Sequence, residues 1–165
     1  MLNEERLSYM GSVVLGLNDA LVELTGALAG FTLSIQNSRT IALVGLITGI
    51  SASLSMAASE YLSSRTEADG DVNPKKAAIY TGIAYVFTVI SLILPFFLIS
   101  NYILSLMVTL TIAILIIAFF NYYISVANDQ PFFARFGEMT LISLGVAAVS
   151  FGIGFLVNRF FGLDI

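Results

Sequence analysis

The sequence predicts an all-α integral membrane protein of five transmembrane helices. Hydrophobic residues make up 58% of the 165-residue chain and charged residues only 11%. A soluble domain ordinarily carries about 25% charged residues. The apolar residues also fall into long blocks cut by short polar stretches. A bilayer core of about 30 Å requires about 20 such residues per helix.

Five blocks meet that length within a single membrane domain spanning residues 1–165. They lie near 11–35, 41–63, 76–100, 102–125 and 139–161. The first carries Asp19 and Glu23 and is preceded by Glu4 and Glu5. Those charges disqualify it as a cleaved secretion signal, which needs a basic start and an uncharged middle. Gln36–Thr40 is a short polar break before the second block. Ser64–Lys75 is the most hydrophilic stretch, and its Asn73–Pro74 pair reads as an N-cap followed by a first helical residue. Ser100–Asn101 is a tight connection. In 126–138, Asn128, Asp129 and Pro131 suit a helix start, and Phe132, Phe133 and Phe136 beside Arg135 suit the membrane interface. Pro95 is expected to kink the third helix, and Tyr61 to anchor an interface.

Five spans place the termini on opposite sides. An N-in, C-out orientation puts Arg6, Arg65, Lys75, Lys76 and Arg135 inside and Arg39 and Arg159 outside. That bias obeys the positive-inside rule. The chain is read as multi-pass, and the lack of a targeting segment leans toward a prokaryotic plasma membrane.

Composition removes several functions. With no cysteine or histidine, there is no thiolate or imidazole for a metal site, and a proton relay must use carboxylates. A net charge of −4 with scattered basic residues gives no nucleic-acid footprint. No nucleophile–base pair and no phosphate-binding loop are present, so no enzyme and no catalytic residue is expected.

The informative residues are charges inside spans. A carboxylate in hydrocarbon costs at least about 2.5 kcal/mol, and such residues ordinarily face protein or water and serve a function. Asp19, Glu23, Gly26 and Gly30 recur on one face of the first helix, and Gly45, Gly49, Ala52, Met56 and Glu60 on one face of the second. Counting inward from Gly11 and back from Ser64, Asp19 and Met56 both lie about 12 Å below the inner surface. Glu60 is shallower and Glu23 deeper. Facing each other, the stripes would form a ladder of Glu60, Asp19 with Met56, and Glu23, with Asn18, Ser53 and Ser55 nearby. Carboxylates with a thioether suit Fe²⁺ or Mn²⁺ better than Zn²⁺, and the same carboxylates can carry protons. The plainer readings are packing for Met56, close helix contact for the two GxxxG pairs and a solvated helix end for Glu60.

The stretch Gly16-Leu17-Asn18-Asp19-Ala20-Leu21-Val22-Glu23, continuing to Gly26 and Gly30, resembles the first-helix motif of the vacuolar iron transporter family. Ser55-Met56-Ala57-Ala58-Ser59-Glu60-Tyr61 is similar to its second-helix motif. The motifs cover the first 65 residues; beyond them the resemblance is one of topology. It implies proton-coupled export of Fe²⁺ or Mn²⁺ from the cytosol, with the metal as cargo and no permanently bound cofactor. It also implies a homodimer whose pathway is lined by the first two helices. By the resemblance, Asp19 is the first-helix metal and proton site, Met56 the sulfur ligand and Glu60 the carboxylate at the cytosolic mouth. Gly26 and Gly30 allow close packing at the shared interface, and Gly45 and Gly49 are assigned to helix packing with them. Ala20 and Ser59 stand where the family has glycine. The loop after the second helix offers only Glu67, Asp69 and Asp71 and no methionine, so the metal-collecting domain of plant-type members is expected to be missing. Two rival functions fit the same acidic face. One is a transporter or channel for another cation or small solute, and the other a non-transporting assembly subunit whose carboxylates hold helices together.

Overall fold

A computed structural model describes residues 2–66, 72–128 and 131–161. These form five helices: α1 (Leu2–Ile35), α2 (Ser38–Thr66), α3 (Pro74–Leu98), α4 (Tyr102–Asn128) and α5 (Phe132–Phe161). All five are long and apolar enough to cross a membrane. The five expected blocks are therefore five helices, in the expected order.

Asparagine sets three of the starts. Asn37 accepts from the Thr40 amide at 3.0 Å, Asn73 from the Lys75 amide at 3.0 Å, and Asn101 from the Ile103 and Leu104 amides at 3.0 Å each. Each satisfies amides that the first turn leaves without a partner. Pro74 follows Asn73 as the first residue of α3, as its fixed φ favours. Between α1 and α2 the chain turns in two residues, with Gln36 at φ 55°. That left-handed residue stops α1 as a glycine would.

Two boundaries differ from expectation. Helix α1 begins at Leu2 rather than near Gly11, because the polar residues that cannot enter a bilayer can still extend a helix beyond it. Helix α5 begins at Phe132 rather than Met139. The aromatic stretch is its first turns, where Phe132 stacks on Phe136 at 5.4 Å and meets Tyr122 of α4 edge-on at 6.2 Å. The expected ligand-poor loop residues Glu67, Asp69 and Asp71, and Asp129 of the next loop, lie outside the described residues.

Helix α1 is central and touches the other four helices. Its close neighbours are set by small residues. A β-carbon on Gly16 would lie 2.5 Å from the Thr81 carbonyl oxygen of α3, and one on Gly30 3.1 Å from the Ser150 carbonyl oxygen of α5. A β-carbon on Gly154 would collide with the Gly30 carbonyl oxygen. The core between α1 and α3 is built from Leu21, Leu24, Leu28, Tyr85, Val89, Leu92 and Phe96, all at most 2% exposed. Pro95 lies within α3 near its end, and the Phe96 and Ile99 carbonyls there accept from Ser38 at 2.8 and 2.6 Å. The outward surface is apolar, with Leu98, Phe119 and Leu141 each more than 70% exposed. Side chains that water would reject cover the exterior, as lipid requires.

Candidate functional site

The candidate residues gather along one side of α1. At one end the Ser12 hydroxyl of α1 donates to Glu60 Oε1 of α2 at 2.6 Å, and Ser64 donates to the same oxygen at 3.4 Å. The Thr81 hydroxyl of α3 donates to the Ser12 carbonyl at 3.0 Å. One polar knot thus ties three helices at this level. Further along α1, the Tyr85 hydroxyl of α3 donates to Glu23 Oε2 at 2.8 Å. Asp19, one turn before Glu23, interacts electrostatically with both Glu23 and the Tyr85 hydroxyl. Two carboxylates and a phenol therefore share one neighbourhood in the interior of a spanning helix.

Tyr85 itself is fully buried, while Asp19 is half-buried and Glu23 exposed on the single chain. Asp19 opens into a cavity of about 450 Å³ between α1 and α5, where its neighbours include Asn18, Val22 and Met139.

Helix α2 runs antiparallel to α1, and two contacts fix its register. Ser12 meets Glu60, and Leu28 lies 2.8 Å from where a β-carbon on Gly45 would be. Sixteen residues along α1 thus match fifteen back along α2. By interpolation Asp19 is level with Ser53, and Met56 is level with Gly16. At about 1.5 Å per residue, Met56 is displaced about 4.5 Å toward the Ser12–Glu60 end. The order Glu60, then Asp19, then Glu23 along α1 is that of the expected ladder; the equal depth of Met56 and Asp19 is not found, because Gly11 and Ser64, from which the depths were counted, are not level with each other. Met56 is half-buried against the apolar core. Ser53 is buried, with its hydroxyl on the Ile50 carbonyl, and Ser55 is exposed. Among the described residues, no three acidic groups converge as a ready-made metal cage.

The glycines are engaged within the chain. Gly26 faces Val146 of α5, Gly30 faces Ser150, Gly45 faces Leu28 and Ile93, and Gly49 faces Val89. Of the two positions where glycine is replaced, Ala20 is fully buried and Ser59 exposed.

Sequence reasoning passed over Ser12, Tyr85 and Met139. Tyr85 did carry a signal. It lies eleven residues inside α3, about 16 Å from the helix start, well away from the interface where tyrosine is usual. A tyrosine that deep needs a partner for its hydroxyl.

Comparison with known families matches residues 10–70 to the VIT family, the vacuolar iron transporters. That interval contains both motifs and every candidate acid. Comparison with curated proteins finds no match. Members of that family are transporters.

Proposed function

We propose that this chain exports Fe²⁺ or Mn²⁺ from the cytosol in exchange for protons, working as a homodimer with its N-terminus inside. The observation that carries this reading is the Asp19–Glu23 pair in the middle of a spanning helix. Two neighbouring carboxylates repel one another when both are ionised, and a divalent cation or a proton relieves that repulsion. One pair of groups can therefore exchange one cargo for the other. Glu60, tied to Ser12 of α1, collects cations at the cytosolic mouth, and Met56 lies between it and Asp19.

Exposure supports the dimer. Glu23 is exposed although it lies near the centre of the span Tyr9–Ile35. Facing lipid there would cost at least about 2.5 kcal/mol. A second copy covering this side of α1 would enclose both acids in a shared, hydrated passage.

The structural alternative also has support, since Tyr85–Glu23 and Ser12–Glu60 join helices. The two readings part at Asp19→Ala. Transport predicts that this variant folds and dimerises like the unmodified protein but moves no Fe²⁺ or Mn²⁺ in proteoliposomes. Loss of the dimer with no flux in either protein would favour the assembly role, and full flux in the variant would rule out transport through Asp19.

A further inference from the structure

The cavity beside Asp19 has a wall that neither motif supplies. Six of its seven lining residues belong to α1, and the seventh is Met139 of α5. Its polar residues are Asp19 and Asn18; the remaining lining is Gly11, three aliphatic residues and Met139. Met139 is half-buried and packs beside the core. Met56, by contrast, is absent from this wall and displaced toward Glu60.

We propose that Met139 supplies the thioether that meets a cation held at Asp19, so that α5 takes part in choosing the metal. This rests on the chain being a metal transporter. Asp19 supplies charge, the Asn18 amide oxygen a neutral hard donor, and Met139 a soft one. A carboxylate and an amide alone do not separate Mg²⁺ from transition metals. A polarisable sulfur does, because soft ligands favour soft or borderline ions and add nothing for hard ones. About 450 Å³ leaves room for the cation to keep part of its water shell. Met56 then acts at an earlier station along α1, and the chain offers sulfur at two successive depths.

The alternative for Met139 is packing alone, and leucine separates the two. Leucine matches methionine in volume and is well tolerated in its place, but it has no sulfur. The experiment is inhibition of Mn²⁺ flux by Cd²⁺, a soft competitor, in proteoliposomes of the unmodified protein, Met139→Leu and Met56→Leu. The expected result in Met139→Leu is a half-inhibitory Cd²⁺ concentration raised on the order of tenfold above that of the unmodified protein. Unchanged Cd²⁺ inhibition in that variant would overturn the proposal. X-ray absorption of Cd²⁺ bound to Met56→Leu and to the Met56→Leu/Met139→Leu double variant gives a test independent of flux. A sulfur neighbour there that disappears in the Met56→Leu/Met139→Leu double variant supports Met139 as ligand, and oxygen neighbours alone in Met56→Leu overturn it. Should the unmodified protein move no Mn²⁺, the transport reading falls, and the absorption spectrum still decides whether Met139 meets a cation.

Discussion

Helices α1 and α5 pack closely against one another yet stand in opposite surroundings. Half of the most apolar window of α1 is buried inside the single chain, against 17% for α5. Helix α1 carries Ser12, Asp19 and Glu23 and binds its neighbours through hydrogen bonds at Glu60, Thr81 and Tyr85. Helix α5 meets α1 mainly through small residues and backbone, at Gly30, Ser150 and Gly154, and turns Leu141, Val149 and Phe160 outward. The difference separates two jobs. One helix is held by polar bonds and bears the chemistry, while the other seals it on one side and faces lipid on the other. Their contact is closest where glycine leaves out the side chain.

The largest stability effect should come from breaking that contact. Gly154→Ala places a methyl against the Gly30 carbonyl oxygen, and overpacking of this kind costs about 1–3 kcal/mol. Thermal unfolding in detergent should show it as a lowered midpoint. Next comes Tyr85→Phe, which removes the hydroxyl from Glu23 without changing shape. Interhelical hydrogen bonds in membranes contribute about 1 kcal/mol, so stability should fall by that amount. Metal flux should fall too, because Glu23 loses the group that orients it. Ser12→Ala should cost less, about 0.6 kcal/mol, since Ser64 still donates to Glu60; a loss as large as that of Gly154→Ala would mean the Ser12 knot, not the glycine contact, holds α1. The smallest effect belongs to Gly145→Ala on the same α5. Nothing lies within 4 Å of a β-carbon there, so the better helix propensity of alanine should stabilise by about 0.5 kcal/mol. A clear destabilisation at Gly145 would reveal a partner that the single chain does not show.

Helix number and order were legible because the apolar blocks and the Asn73 cap are local features. The acidic face of α1 was legible for the same reason, since Asp19 and Glu23 are one turn apart on any helix. The partners of that face were not. GxxxG announces close approach without naming the neighbour, and Gly26 and Gly30 meet α5 at Val146 and Ser150, far along the chain. Tyr85 and Met139 were hidden for the same reason: each reaches α1 only through the arrangement of helices around it. The depth of Met56 was misjudged by nearly a turn because Gly11 and Ser64, from which the depths were counted, are not level: Ser12 already meets Glu60.

The central claim is exchange of metal for protons at the α1 acids. Its most direct measurement follows Mn²⁺ uptake and internal pH together in proteoliposomes of the unmodified protein and Asp19→Ala, with Mg²⁺ as a control cation. Exchange at these acids predicts Mn²⁺ movement with protons flowing the opposite way, little movement of Mg²⁺, and loss of both the metal and the proton signal in Asp19→Ala. Mn²⁺ movement with no proton signal would contradict the exchange, and equal flux in Asp19→Ala would contradict the site.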